Sequence, residues 1–181
     1  MAGAGGGAAA VLAACGGGGG SQEVTQTISP EQAQADAAQL NALLDLERTA
    51  VLAYSVGQGF LSGSSLALAR RFAGHERAHE QALEQALRGL GARPAPARPE
   101  RSYLSGFPPL RSAQDVLRFA LDVENTQISA YGDSLGIVVT PSLRSTLLSI
   151  LGTEAEHMSV LLGELHQSQA SQAFVTGNAP T

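Results

Sequence analysis

Gly74-His75-Glu76-Arg77-Ala78-His79 and Gly152-Thr153-Glu154-Ala155-Glu156-His157 share the pattern Gly-x-Glu-x-x-His, and a leucine follows each histidine by four residues, Leu83 and Leu161. On an α-helix, residues three apart lie on one face, one turn above the other. Glu76 and His79 can therefore reach one point in space, and so can Glu154 and His157. A carboxylate and an imidazole that converge from one helix face make half of a transition-metal site.

Each half has a partner one helix earlier. Glu47-Arg48-Thr49-Ala50-Val51-Leu52-Ala53-Tyr54 matches Glu124-Asn125-Thr126-Gln127-Ile128-Ser129-Ala130-Tyr131 in the pattern Glu-x-Thr-x-x-x-Ala-Tyr. Glu47 and Glu124 stand 77 positions apart, Glu76 and Glu154 78. The chain is thus a tandem repeat of a helix pair, Glu then Glu-x-x-His, twice over. A lone Glu-x-x-His is a weak signal; its order, spacing and duplication here make a strong one.

The apolar periodicity around these residues predicts four helices. Ser29-Pro30-Glu31 has the form of a helix start, and Leu40, Leu43, Leu44, Ala50, Val51 and Tyr54 share a stripe with Glu47 until Gly57 and Gly59. The second helix begins near Ser64, carries Leu66, Ala69, Phe72, Leu83, Ala86 and Leu90 beside Glu76 and His79, and stops at Gly89 and Gly91. Ala92 to Arg111 holds Pro94, Pro96, Pro99, Pro108 and Pro109, which predicts an extended crossover pinned by Ser102, Tyr103, Leu104 and Phe107. Ser112, with Asp115 three residues on, caps the third helix. Its stripe is Leu117, Ala120, Leu121, Glu124, Ile128, Tyr131 and Leu135, ending at Gly136. Thr140-Pro141 opens the fourth, lined by Leu143, Leu147, Ile150, Glu154, His157, Leu161 and Leu165. The expected fold is all-α, a four-helix bundle over residues 31–170 built from two antiparallel hairpins and a long crossover. Residues 1–30 read as leader and linker, 171–181 as a disordered tail.

Glu47, Glu76, His79, Glu124, Glu154 and His157 all stand where the stripe calls for leucine. An unpaired buried carboxylate costs several kcal/mol, against about 5–15 kcal/mol of net stability for a whole domain. Two divalent cations would balance the four carboxylates. Oxygen and imidazole ligands suit iron, with manganese as the other candidate. The expected arrangement is two ions about 3.5–4 Å apart, with Glu76 and Glu154 bridging and Glu47 and Glu124 terminal. The alternative is a metal-free bundle whose polar core is satisfied by protonated glutamate, histidine and water, a network that must be complete to be tolerated.

This fourfold arrangement resembles the ferritin-like di-iron carboxylate superfamily, and within it the bacterial ferritin-like domain family related to plant desiccation-related proteins. The likeness covers about Leu40 to Leu165. It implies a left-handed-crossover bundle, a dinuclear centre at mid-bundle and chemistry of Fe(II) with O2 or peroxide. Cage-forming ferritins differ: no fifth helix is read after Leu165, so mineral storage is not expected.

Other polar residues divide between site and surface. Tyr54 and Tyr131 lie two turns past Glu47 and Glu124, where each could hydrogen-bond a ligand or pass an electron into the site, or simply fill the core. Gln127, one turn past Glu124, could face the site or pack, and packing is the expected role. His75, about 100° round the helix from Glu76, reads as a surface residue, and Glu80 and Glu156 as solvated. His166 is expected in the last helical turn, where a cation suits the dipole. Gly74 and Gly152 suggest close helix approach or room beside the site, with packing the expected role.

The formal net charge is −5, all basic residues are Arg, and no basic run appears, so nucleic acid is not an expected partner. A single cysteine allows no internal disulfide. Leu12-Ala13-Ala14-Cys15 resembles a bacterial lipobox, and the run Ala8 to Ala14 is far short of the roughly 20 residues of a membrane span. The glycine-rich stretch that follows suits a tether; the alternative is a Gly/Ala-rich tail with an incidental cysteine. No basic residue precedes the run, which suggests that Met1 falls inside a longer leader. The expected product is exported and lipid-anchored through Cys15 at the outer face of the bacterial cytoplasmic membrane, with the membrane as partner only through that anchor. Two functions fit: a tethered di-metal oxidoreductase acting on Fe(II) with O2 or peroxide, or a non-catalytic stress lipoprotein whose bundle is stabilised by metal. The oligomeric state stays open, a homodimer being one option.

Overall fold

A computed structural model describes residues 28–170 and 173–178. The expected lipidation site, Cys15, lies outside the described residues. Five helices follow one another: α1 (Pro30–Gly57), α2 (Gly63–Gly89), the short α3 (Glu100–Leu104), α4 (Ala113–Ile137) and α5 (Pro141–Glu164). A 3-10 turn, Gln58–Phe60, follows α1 directly. No described helix is long and apolar enough to cross a membrane.

The helix starts are chemically marked. Ser29 accepts from the Gln32 backbone N–H while the Gln32 side chain accepts from the Ser29 N–H, a reciprocal cap, with Pro30 in the first turn. Ser112 accepts from the backbone N–H of Asp115 at 3.1 Å. At the far end of α5, His166 adopts φ 58°, and the Gln167 and His166 N–H groups return to the Leu162 and Gly163 carbonyls. His166 is therefore the left-handed residue that closes the helix. It lies past the last turn, which ends at Glu164, and not within it.

Neighbouring helices run antiparallel. Gly57, at the end of α1, faces Val116 near the start of α4, while Gln39 reaches Ser134 at the other end. Ser65, early in α2, bonds Glu164, late in α5. Going round the bundle the order is α2, α1, α4, α5, and α2 and α5 pack most loosely. The crossover must therefore climb the length of the bundle.

One face of α1 straps it down. Asn41 Oδ1 accepts from the Ala95 N–H at 2.7 Å, Asp45 accepts from Arg98 and the Tyr103 hydroxyl at 2.9 Å, and Arg48 donates to the Ala95 carbonyl at 2.7 Å. The proline-rich segment is not wholly extended, because Pro99-Glu100 starts the one-turn α3 and seats Tyr103 in the core. Phe107 packs on Phe119 at 4.8 Å, whereas Leu104 is exposed. Arg48 also ion-pairs with Glu80 at 2.9 Å and Glu84 at 3.2 Å, so Glu80 clamps α2 to α1 and is not merely solvated.

The core has two apolar ends. One gathers Tyr54, Phe72, Leu121, Ile128 and Leu161; the other gathers Leu40, Leu44, Leu83, Tyr131 and Leu147. Chain order places Glu47, Glu76 and Glu154 between them on α1, α2 and α5, while Glu124 on α4 sits between Leu121 and Ile128, at the inner edge of the first end. Gly74 and Gly152 make no close approach, since a Cβ at either would meet nothing within 4 Å.

Candidate metal centre

All six residues singled out from the repeat turn inward and meet. The four glutamates are fully buried, His157 is 1% exposed and His79 9%. Glu47, Glu76, His79 and Glu154 offer ligand atoms within 4.8 Å of one another, and so do Glu76, Glu124, Glu154 and His157. The two groups share Glu76 and Glu154.

The division of atoms is regular. His79 Nδ1 lies 2.9 Å from Glu154 Oε1, 3.6 Å from Glu47 Oε2 and 3.8 Å from Glu76 Oε2. His157 Nδ1 lies 3.2 Å from Glu76 Oε1, 3.2 Å from Glu154 Oε2 and 3.4 Å from Glu124 Oε2. Glu76 and Glu154 each turn one oxygen to one histidine and the second oxygen to the other. Yet both Nδ1 atoms, Glu76 Oε1, Glu124 Oε2 and both Glu154 oxygens lack a hydrogen bond. Short distance without hydrogen-bond alignment means that these atoms aim at common points between them. A buried polar atom left so costs about 1–3 kcal/mol, and two cations would satisfy the whole set.

The surroundings fix the carboxylates. Tyr54 donates its hydroxyl to Glu124 Oε1 and Tyr131 donates to Glu47 Oε1, so each tyrosine serves the opposite hairpin. Gln127 Nε2 donates to Glu47 Oε2 at 3.2 Å and Glu76 Oε2 at 3.0 Å. Gln127 is thus part of the site and not packing alone. His75, expected at the surface, is half-buried, with its Nδ1 2.9 Å from His157 Nε2. Phe72 stacks on the His157 ring at 3.8 Å.

Protons can balance the charge of these six side chains. Burial opposes charging His79, but Glu154, Glu47 and Glu76 outweigh it and push its pKa up to about 12. The same contest, with Glu124, Glu154 and Glu76, pushes His157 up to about 11. Burial raises Glu47 to about 8, against the pull of His79, and holds Glu124 well above the usual carboxylate range. For Glu76 and Glu154 burial is overcome by the two histidines, and both stay below that range. Burial and the adjacent Glu124 and Glu47 keep Tyr54 and Tyr131 protonated, as donors.

A family model described as a ferritin-like domain matches residues 35–167. The chain belongs to the ferritin-like domain family. No protein of curated function matches this ferritin-like chain. Among solved structures, a conserved hypothetical protein from Mycobacterium tuberculosis is similar at 19% identity, covering 72% of this chain and 97% of that one, with a TM-score of 0.64. A ferritin-like, diiron-carboxylate protein from Bacillus anthracis is also similar at 19% identity, covering 76% and 99%, with a TM-score of 0.64. A dodecameric thioferritin from Bacteroides fragilis, described as bacterioferritin-related, is 21% identical over 74% and 86%, again at 0.64. At these identities the likeness is one of fold.

Proposed function

We propose that this ferritin-like protein is a di-metal oxidoreductase. The observation that carries this reading is the pair of overlapping ligand groups sharing Glu76 and Glu154, with their inward atoms unbonded. Glu47 and His79 would hold one ion, Glu124 and His157 the other, and Glu76 and Glu154 both. Iron suits this donor set best and manganese next. Such a pair supplies a redox couple and open positions for O2 or peroxide.

The protein's own contributions are positional. Tyr54 and Tyr131 each occupy one oxygen of a terminal glutamate and leave the other turned to the centre. Gln127 ties the terminal Glu47 to the shared Glu76. The two apolar ends exclude water above and below. Fe(II), with O2 or peroxide, is the proposed substrate pair. The Cys15 lipobox supports export and a lipid anchor at the outer face of the cytoplasmic membrane, which sequencing the mature N-terminus tests.

The deciding experiment is metal analysis of protein from its native host, then Fe(II) addition to metal-free protein in air with ferric absorbance followed. Expected are about two ions per chain and iron oxidation faster than in buffer. The double substitution Glu76→Ala and Glu154→Ala should abolish both. Stable metal without turnover would favour the non-catalytic, metal-stabilised role instead.

A further inference from the structure

The repeat makes the two halves of the centre similar, but their outer surroundings differ. His157 turns Nδ1 to the carboxylates and Nε2 to His75 Nδ1, 2.9 Å away. The His75 and His157 rings lie nearly parallel, 5.1 Å apart at 16°, and Phe72 covers His157 at 3.8 Å. For Nδ1 to offer a lone pair inward, the His157 proton must sit on Nε2. His75 Nδ1 is the acceptor that holds it there, the orienting arrangement that metal-binding histidines need.

The equivalent of His75 in the second repeat is Thr153, and its hydroxyl turns back to its own helix at the Ser149 carbonyl, 3.4 Å away. Among the described residues nothing hydrogen-bonds the outer side of His79. His79 instead borders a groove of about 430 Å³ between α2 and α5, lined also by Ala78, Ala82, Ser149, Ile150 and Thr153. This is the loosest seam of the bundle. Its small and hydroxyl side chains leave room for a hydrated cation, and no other member of the six is as exposed as His79.

We propose that the two cation positions are unequal: His75 is a positioning residue that makes the Glu124–His157 position tight, and the Glu47–His79 position exchanges its ion through the α2–α5 groove. This rests on the di-metal reading above.

Titration of the metal-free full chain with Mn(II), followed by calorimetry, tests it. Two binding steps are expected, at least about tenfold apart in Kd. His75→Phe should weaken the tight step by about 10–100-fold and leave the loose step nearly unchanged. His75→Gln, whose amide oxygen can accept from His157 Nε2, should recover most of the loss, which a merely space-filling role for His75 would not allow. Ala82→Leu should slow release of the loosely held Mn(II) to a chelator while sparing the tight ion. Two equal steps, or equal weakening of both steps by His75→Phe, would overturn the inference and leave the di-metal reading standing. No binding by the unmodified chain would overturn both.

Discussion

Tyr54 on α1 donates its hydroxyl to Oε1 of Glu124 on α4, 70 residues further along the chain. Tyr131 returns the contact to Glu47 across 84 residues. A carboxylate of each hairpin is therefore held by the other hairpin, and the buried cluster can be complete only when both have docked.

Replacing either tyrosine by phenylalanine leaves a fully buried carboxylate oxygen without its donor. Each change should cost the metal-free protein about 1–3 kcal/mol, measured by urea unfolding. Each should also weaken metal binding by about 10–100-fold through loss of ligand orientation.

Metal binding should release protons. With His79 near 12, His157 near 11 and Glu47 near 8, these three groups hold their protons at pH 6–7 in the metal-free protein, and burial shifts Glu124 in the same direction. Loading two ions should expel at least about three, so overall affinity rises by about three powers of ten or more per pH unit there. Calorimetry in buffers of different ionisation enthalpy counts them.

The same shifts set metal-free stability. The histidine values are raised from 6.5, so their contribution is full below about 6.5 and fades as pH climbs toward 11 and 12. Glu47, raised from 4.5, loses its share between 4.5 and about 8. Glu76 and Glu154, lowered from 4.5, lose theirs as pH falls below 4.5. Tm of the metal-free protein should therefore drop between pH 6.5 and 9, and loading with Mn(II) should remove most of that drop.

Glycine positions should divide by the space around them. Gly74→Ala and Gly152→Ala meet no neighbour within 4 Å and should each stabilise by about 0.4–1 kcal/mol. Gly57→Ala places its Cβ 2.7 Å from Val116 Cγ1 and should destabilise by about 1–3 kcal/mol. Thermal unfolding of the three variants is a direct comparison.

Asp36 is buried and holds the α4–α5 turn, accepting from the Val139 and Thr140 N–H groups at 3.1 Å and the Thr140 hydroxyl at 2.5 Å. Asp36→Ala should cost about 1–3 kcal/mol, since it strands three donors in a part-buried turn. Urea unfolding should show this with little change in metal stoichiometry.

The four long helices and the six inward residues were legible because each carboxylate or imidazole interrupted a leucine stripe, and the repeat confirmed every interruption. His75 was not, because on its own helix it points off the site-facing stripe, while the ring it meets belongs to α5. Gln127 carried a usable signal, one turn beyond Glu124, that amphipathic spacing alone cannot tell from packing. Asp36 had none, since its role depends on a turn a hundred residues away. In the crossover, five prolines masked the Pro99-Glu100 start of α3.

The two apolar ends hold a further consequence. Every long helix runs unbroken from one oily half, through the charged middle, into the other. Emptying the middle of cations therefore cannot part the molecule into two lobes; it loosens a single waist. Amide hydrogens around Glu47, Glu76, Glu124 and Glu154 would then exchange sooner than those toward either pole, giving the protein its softest point at the cluster proposed to hold the ions.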